Sequence, residues 1–220
     1  MSAVEFCGCI FEHELAFRSE FRLSREWRNM TTTGFPVFDL GPLQGLLGKW
    51  RGRGHDVAFL PGGMKVESDY IEEMVISPVP VMRITKSSFI HAATYETRLV
   101  DAISGEPLHH ETGYWAWSPE TRTALRIVAL GRALGVVASC NVPVWPSSTG
   151  VAFKFVASPS SSPPSIATVD LGALAPRMTE FICDVQIDGN AFDYDQITRV
   201  DFGSGQPMDH SDRARLVRIP

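Results

Sequence analysis

The stretch GKWRGRG, residues Gly48 to Gly54, alternates two kinds of residue. One parity holds Lys49, Arg51 and Arg53. The other holds Gly48, Trp50, Gly52 and Gly54. Successive side chains of a strand point to opposite faces, so one face is charged and wet while the other carries one indole among glycines. Glycine inside a strand marks a bend or a close approach of another backbone. A strand turning the corner of a barrel needs both. The bare face leaves room for the indole or for a ligand.

The period of two continues from here to the C-terminus. MKVESDYIEEMVI (Met64–Ile76) ends at a Ser-Pro-Val-Pro turn, and IHAATYETRLV (Ile90–Val100) runs into the turn ISGEP. PLHHETGYWAW, TALRIVAL, ALGVVASCNV and VAFKFVA follow, each bounded by turn residues. SPSSSPPS, residues 158–165, is a polar loop too short for a domain linker. In MTEFICDVQI the residues Phe181, Cys183, Val185 and Ile187 share a parity, and Asp188-Gly189 reads as a hairpin turn. AFDYDQITRVDF sets Phe192, Tyr194, Gln196, Thr198, Val200 and Phe202 against Asp193, Asp195, Arg199 and Asp201. About ten or more strands at even spacing, with few helical signals, predict an all-β sandwich or barrel. An antiparallel up-and-down barrel removes exposed edges and, at this size, holds one small ligand.

Composition agrees with a folded, ligand-holding domain. Of 220 residues, 44% are apolar and 20% charged, enough for a real core and against overall disorder. Net charge is -5 without a basic run, which argues against nucleic-acid binding. No window has the roughly 18 apolar residues of a membrane span. The N-terminus acquires acidic residues too early for a secretory signal, so the expected location is the cytoplasm. Cys7, Cys9, Cys140 and Cys183 lack zinc-finger spacing and are expected as free thiols. There is no G-x-S-x-G elbow, no P-loop and no G-x-G-x-x-G opening a helix.

Residues 1–40 differ from the barrel pattern of residues 41–220 and form an N-terminal extension. Leu15, Phe17, Phe21, Leu23 and Trp27 share a parity and do not gather on one helical face, which favours an extra strand. Such an arm plugs the barrel, covers an edge or reaches a second subunit; a homodimer is among the expectations.

Three motifs resemble the nitrobindin family. GKWRGRG is similar to its G-x-W-x-G-x-G opening strand. SGEPLHHETGYW resembles its G-x-P-x-H-x-E-x-G-Y stretch, through Gly105, Pro107, His109, Glu111, Gly113 and Tyr114. GQPMDHSDRARLVRI resembles its last strand, with Gly205, Pro207, Met208, Ala214, Leu216 and Arg218 in register. The resemblance spans residues 43–219. It implies a ten-stranded barrel related to lipocalins and fatty-acid-binding proteins. It also implies haem b in the barrel mouth, held by one histidine near the C-terminus, with nitric oxide binding and peroxynitrite isomerisation. In the ungapped register that histidine falls on Ser211, and His210 stands one position earlier. One step along a strand reverses the face. A bulge would aim His210 inward as the axial ligand of haem iron; otherwise it is a surface histidine. After GKWRGRG the family's Gly-x-Tyr-Pro-Thr-like segment is replaced by HDVAFLPGG, which points to a remodelled pocket.

Further candidates line the expected pocket. His109 and Glu111 share a face with Trp115, a pair able to move protons or to make a cross-strand contact. His91 and Tyr95 share a face, lining the pocket or facing water. Trp50, Trp115 and Phe153 supply aromatic walls or core. The alternative to haem is a haem-free barrel that carries or converts a small apolar molecule.

Overall fold

The computed structural model describes residues 37–59, 63–85, 88–130, 134–142, 150–168, 177–201 and 207–220. The strand expected over residues 15–27 and the Cys7, Cys9 pair lie outside the described residues.

Among the described residues a short 3-10 helix, Gly41–Leu46, precedes twelve strands. These are β1 (Gly48–Phe59), β2 (Lys65–Pro78), β3 (Met82–Arg83), β4 (Phe89–Asp101), β5 (Pro107–Ser118) and β6 (Thr123–Leu130). They continue with β7 (Leu134–Asn141), β8 (Val151–Ala157), β9 (Ile166–Thr168), β10 (Arg177–Asp188), β11 (Ala191–Asp201) and β12 (Met208–Ile219). Ten of them close into an antiparallel cylinder in the order β1, β2, β4, β5, β6, β7, β8, β10, β11, β12, with β12 returning to β1. The pair β3 and β9 stand outside the ring, on β4 and β7 respectively. The up-and-down barrel read from the sequence is the fold. Among the described residues no helix is long and apolar enough to cross a membrane.

The wall is continuous but unevenly knit. Strand β1 pairs with β2 over twelve register positions and with β12 over nine. Among the described residues the register between β7 and β8 has a single pair, Ser139 with Val156, while β9 takes the Leu134–Val136 part of β7.

Alternation fills the cylinder. Along β1, Lys49, Arg51 and Arg53 are exposed while Trp50 is fully buried. Two glycines of the quoted stretch each make room for something specific. A Cβ on Gly52 would lie 1.9 Å from the Arg215 carbonyl oxygen, so its absence lets β12 approach. A Cβ on Gly54 would lie 2.1 Å from the Tyr70 ring, which therefore lies across bare backbone.

One end of the cylinder is corked. Leu40, Leu43 and Leu46, in and beside the 3-10 helix, have no exposed surface. Burial on this scale stabilises by about 2 kcal/mol per side chain. Trp50 Nε1 donates to the Leu46 carbonyl at 2.7 Å. The Arg218 guanidinium stacks 4.3 Å from the Trp50 ring and donates to the carbonyls of Gly45 and Leu47. The last strand thus fastens the helix into the barrel.

Candidate functional site

The opposite end is set by the start of β12. Ala214 and Leu216 are buried on the inner face, and Arg213 and Arg215 are exposed on the outer one. The same parity turns Asp212 and His210 inward and Ser211 outward. His210 pairs with the buried Thr198 of β11, whereas Ser211 stands between Val57 and Ile197 on the outside. No register shift interrupts β12, so His210 reaches the inner face without a bulge. Its Nε2 lies 2.5 Å from Asp56 Oδ1 on β1, and its side chain is 37% exposed.

Below this rim lies a layer of buried polar side chains. Asp212 faces Asp56 across β1 and β12. The Tyr70 hydroxyl donates to Asp212 and lies 3.0 Å from the Tyr194 hydroxyl. Tyr194 in turn donates to Glu72 at 2.8 Å, and Thr97 donates to the other Glu72 oxygen at 2.6 Å. No cation pairs with Glu72 within the described residues, and it is 1% exposed. Burial pushes its carboxyl up to about 7 despite the two hydroxyl donors. Burial, opposed by the Tyr70 hydrogen bond and reinforced by Asp56, pushes Asp212 up to about 6.

A second cluster centres on Arg126 of β6, which is 5% exposed. Its guanidinium donates to Glu111 at 3.1 Å, to Gln196 at 2.9 Å and to the Cys183 sulfur at 2.9 Å. It also lies 5.3 Å from the centre of the Trp115 ring. The Tyr95 hydroxyl donates to Glu111, and His109 Nε2 lies 3.6 Å from the other Glu111 oxygen. Burial raises the Glu111 carboxyl, but Arg126, His109 and Tyr95 outweigh it and hold the group below its ordinary value. Burial pushes the Cys183 thiol up to about 11, so it is a neutral acceptor and not a nucleophile at neutral pH. Trp115 Nε1 and Arg126 Nε, both buried, have no acceptor among the described residues. The layer therefore has hydrogen-bonding capacity to spare.

The THAP4-like, heme-binding beta-barrel domain family matches residues 39–218. The chain belongs to this family. It is the nitrobindin-type barrel that the three motifs resemble. The crystal structure of Rv2717c from M. tuberculosis is similar at a TM-score of 0.60 and 24% identity, covering 83% of this chain and 100% of that one. That likeness speaks for the fold. No curated protein matches the sequence.

Within this THAP4-like barrel the sequence-expected residues fall into three places. His210 stands at the rim with Asp56. Tyr95, His109 and Trp115 come together around Glu111 and Arg126. Phe153 and Trp50 join the same aromatic column: Trp115 packs edge-on against Phe155 at 5.4 Å and Phe192 at 6.3 Å. Phe153 touches Phe155, and Trp50 touches Phe192. These rings pack against one another as core. His91 is set apart, at the corked end, where its Nδ1 accepts from the Asp39 backbone at 3.0 Å. Burial lowers its pKa, consistent with a neutral acceptor. Cys140 and Cys183, the described cysteines, are free thiols.

Glu72, Asp212, Arg126, Tyr70 and Tyr194 are the polar residues that the sequence reading missed. A signal existed. Arg126 sits on the Ala124, Val128 and Leu130 parity of TALRIVAL, and Glu72 on the Met74 and Ile76 parity.

The donor set fits haem. Neutral imidazole is the usual axial ligand that proteins offer haem iron, and His210 presents one on the inner face at a strand end. A carboxylate on a ring nitrogen fixes the tautomer and orientation of a ligating histidine, the position Asp56 takes.

Proposed function

We propose that the barrel binds one haem b, with His210 as axial ligand. The carrying observation is the inward placement of His210 beside Asp56 at the end of a closed barrel whose other end is corked. Haem, when bound, supplies an iron centre that takes nitric oxide and, in the ferric form, isomerises peroxynitrite to nitrate. The protein contributes everything else. His210 holds the iron and Asp56 holds His210. The wall keeps bulk water from the buried layer beneath. Burial raises Glu72 to about 7, so it holds a proton part of the time at neutral pH, while Asp212, raised to about 6, is mostly ionised there.

The test is a hemin titration followed by visible absorption. A saturable one-to-one Soret shift is expected for the wild-type chain and for His109→Ala, and loss of the shift for His210→Ala with an unchanged circular dichroism spectrum. A titration that is flat for the wild type overturns the proposal and supports a haem-free barrel for a small apolar guest. An unchanged spectrum in His210→Ala removes the histidine from its role. Nitric oxide binding and peroxynitrite decay are then measured on the loaded protein.

A further inference from the structure

Three polar contacts join two buried carboxyls in series: Glu72 Oε2 to Tyr194 at 2.8 Å, Tyr194 to Tyr70 at 3.0 Å, and Tyr70 to Asp212. The chain crosses the barrel interior between β2, β11 and β12. Each contact is a hydrogen bond only if a hydrogen lies in it. Each phenol supplies one, and burial raises both phenols, so neither loses it near neutral pH. Two hydrogens therefore serve three contacts. With both carboxyls ionised, Tyr194 donates to Glu72 and Tyr70 to Asp212, and the two phenol oxygens face each other at 3.0 Å with no hydrogen between them. One added proton completes the chain. Placed on Glu72, it gives all three bonds one polarity: Glu72 donates to Tyr194, Tyr194 to Tyr70 and Tyr70 to Asp212.

The two ends of the chain differ. Glu72 is 1% exposed, and its Oε1 accepts from Thr97 at 2.6 Å. The Thr97 hydroxyl otherwise meets the Glu73 backbone carbonyl at 3.3 Å, which passes no proton on. The other end leads out, because Asp212 pairs across the strands with Asp56, whose side chain is 28% exposed at the mouth. Tyr194 also stands 3.5 Å from the second Asp212 oxygen, beyond the ordinary range for two oxygens. The charged groups facing Glu72 are Asp212 from β12, which disfavours its anion, and Arg126 from β6, which favours it. Tyr194 and Tyr70 complete the titratable set around it. Arg126 is already engaged by Glu111, Gln196 and Cys183.

We propose that Glu72 is a proton store for the barrel mouth, filled and emptied through Tyr194, Tyr70 and Asp212. On emptying, the Glu72 proton passes to the Tyr194 oxygen, the Tyr194 hydrogen to Tyr70, and the Tyr70 hydrogen to Asp212. Three O–H bonds break and three form. One proton moves from the core toward the mouth, and no electron changes place. All three hydrogen bonds reverse polarity in the step. Loss of the proton from Asp212 to solvent, and a turn of the Tyr70 hydroxyl, restore the two-hydrogen state. The store serves chemistry at the mouth that takes up or releases one proton, whichever guest the barrel holds.

The test is infrared spectroscopy of the full chain, before any hemin is added, during a jump from alkaline to mildly acidic pH. The C=O stretch of a neutral carboxylic acid reads the proton on Glu72, and Glu72→Gln identifies the band by its loss. The wild type is expected to gain this band. Tyr194→Phe cuts the chain in its middle and is expected to gain it about tenfold more slowly. Tyr70→Phe cuts the next link and is expected to do the same, which keeps the test open if the first variant fails to fold. Thr97→Val removes a hydrogen bond to the same carboxyl without cutting the chain, and is expected to shift the band and leave its rate unchanged. Circular dichroism checks the fold of each variant. Absence of the Glu72 band at mildly acidic pH overturns the proposal. So does a band that rises as fast in the folded tyrosine variants as in the wild type, or one slowed equally by Thr97→Val.

Discussion

His210 Nε2 and Asp56 Oδ1 lie 2.5 Å apart, joining the start of β12 to β1 at the rim. The histidine is half exposed but not free to turn. A carboxylate that fixes a ligating imidazole supports metal affinity by about 10- to 100-fold. Asp56→Ala is therefore expected to weaken hemin binding by about tenfold in the same titration, with the Soret maximum retained. Tighter binding would show instead that Asp56 competes with iron for the ring.

Glu72 gives the barrel a pH dependence of definite sign. Its folded carboxyl is raised from the ordinary 4.5 to about 7. Below pH 4.5 both folded and unfolded chains carry the proton and the group has no effect. Between 4.5 and 7 the unfolded chain releases its proton while the folded chain retains it, so stability falls as pH rises. Above 7 the full cost, up to about 3 kcal/mol, is in place. Glu72→Gln is expected to match the wild type near pH 4.5 and to melt higher at pH 8. Asp212, raised to about 6, leaves a residual slope in the variant. Thermal melts across that range decide the matter.

The Arg126–Glu111 pair has the energetics of buried ions. Both side chains are nearly inaccessible, at 6% and 7%. Removing one partner leaves an uncompensated charge, so Arg126→Met is expected to cost about 3–5 kcal/mol in denaturant unfolding. The double change with Glu111→Gln is expected to recover most of it. Equal losses in the single and double variants would show that shape, not charge, sets the cost.

Gly54→Ala tests why the opening strand is rich in glycine. The added methyl would fall on the Tyr70 ring, whose hydroxyl is tied to Asp212 and Tyr194 and so gives way poorly. A loss of about 1–3 kcal/mol is expected, the usual range for overpacking. A neutral effect in thermal melts would show that the Tyr70 ring moves aside freely.

Period-two alternation made the barrel legible. Lys49, Arg51 and Arg53 against Trp50 and the glycines identify β1. Phe192, Tyr194 and Gln196 against Asp193 and Asp195 identify β11. The Ser211 register left the ligand open, yet the alternation of Ala214 and Leu216 with Arg213 and Arg215 already carries His210 to the inner face. The buried polar layer was harder to read. A glutamate or arginine on an inward parity looks like a lapse in a strand pattern until the opposite wall supplies its partners. Glu72 needs Tyr194, 122 residues away, and Arg126 needs Gln196, 70 away. Such pairings depend on closure of the cylinder and not on any one strand.

The single register pair between β7 and β8 gives that cylinder a clasp. Elsewhere, parting two strands means breaking a long ladder. Here, among the described residues, Ser139 and Val156 are the one register pair in the main wall, with β9 paired to the neighbouring stretch of β7. A closed ring with one weak link opens there first, as a hoop does at its buckle. The aromatic side chains Phe153 and Phe155 belong to the strand beside that link. Breathing of the barrel is thereby directed to one meridian, away from β12 and β1, where His210 and Asp56 stay in place.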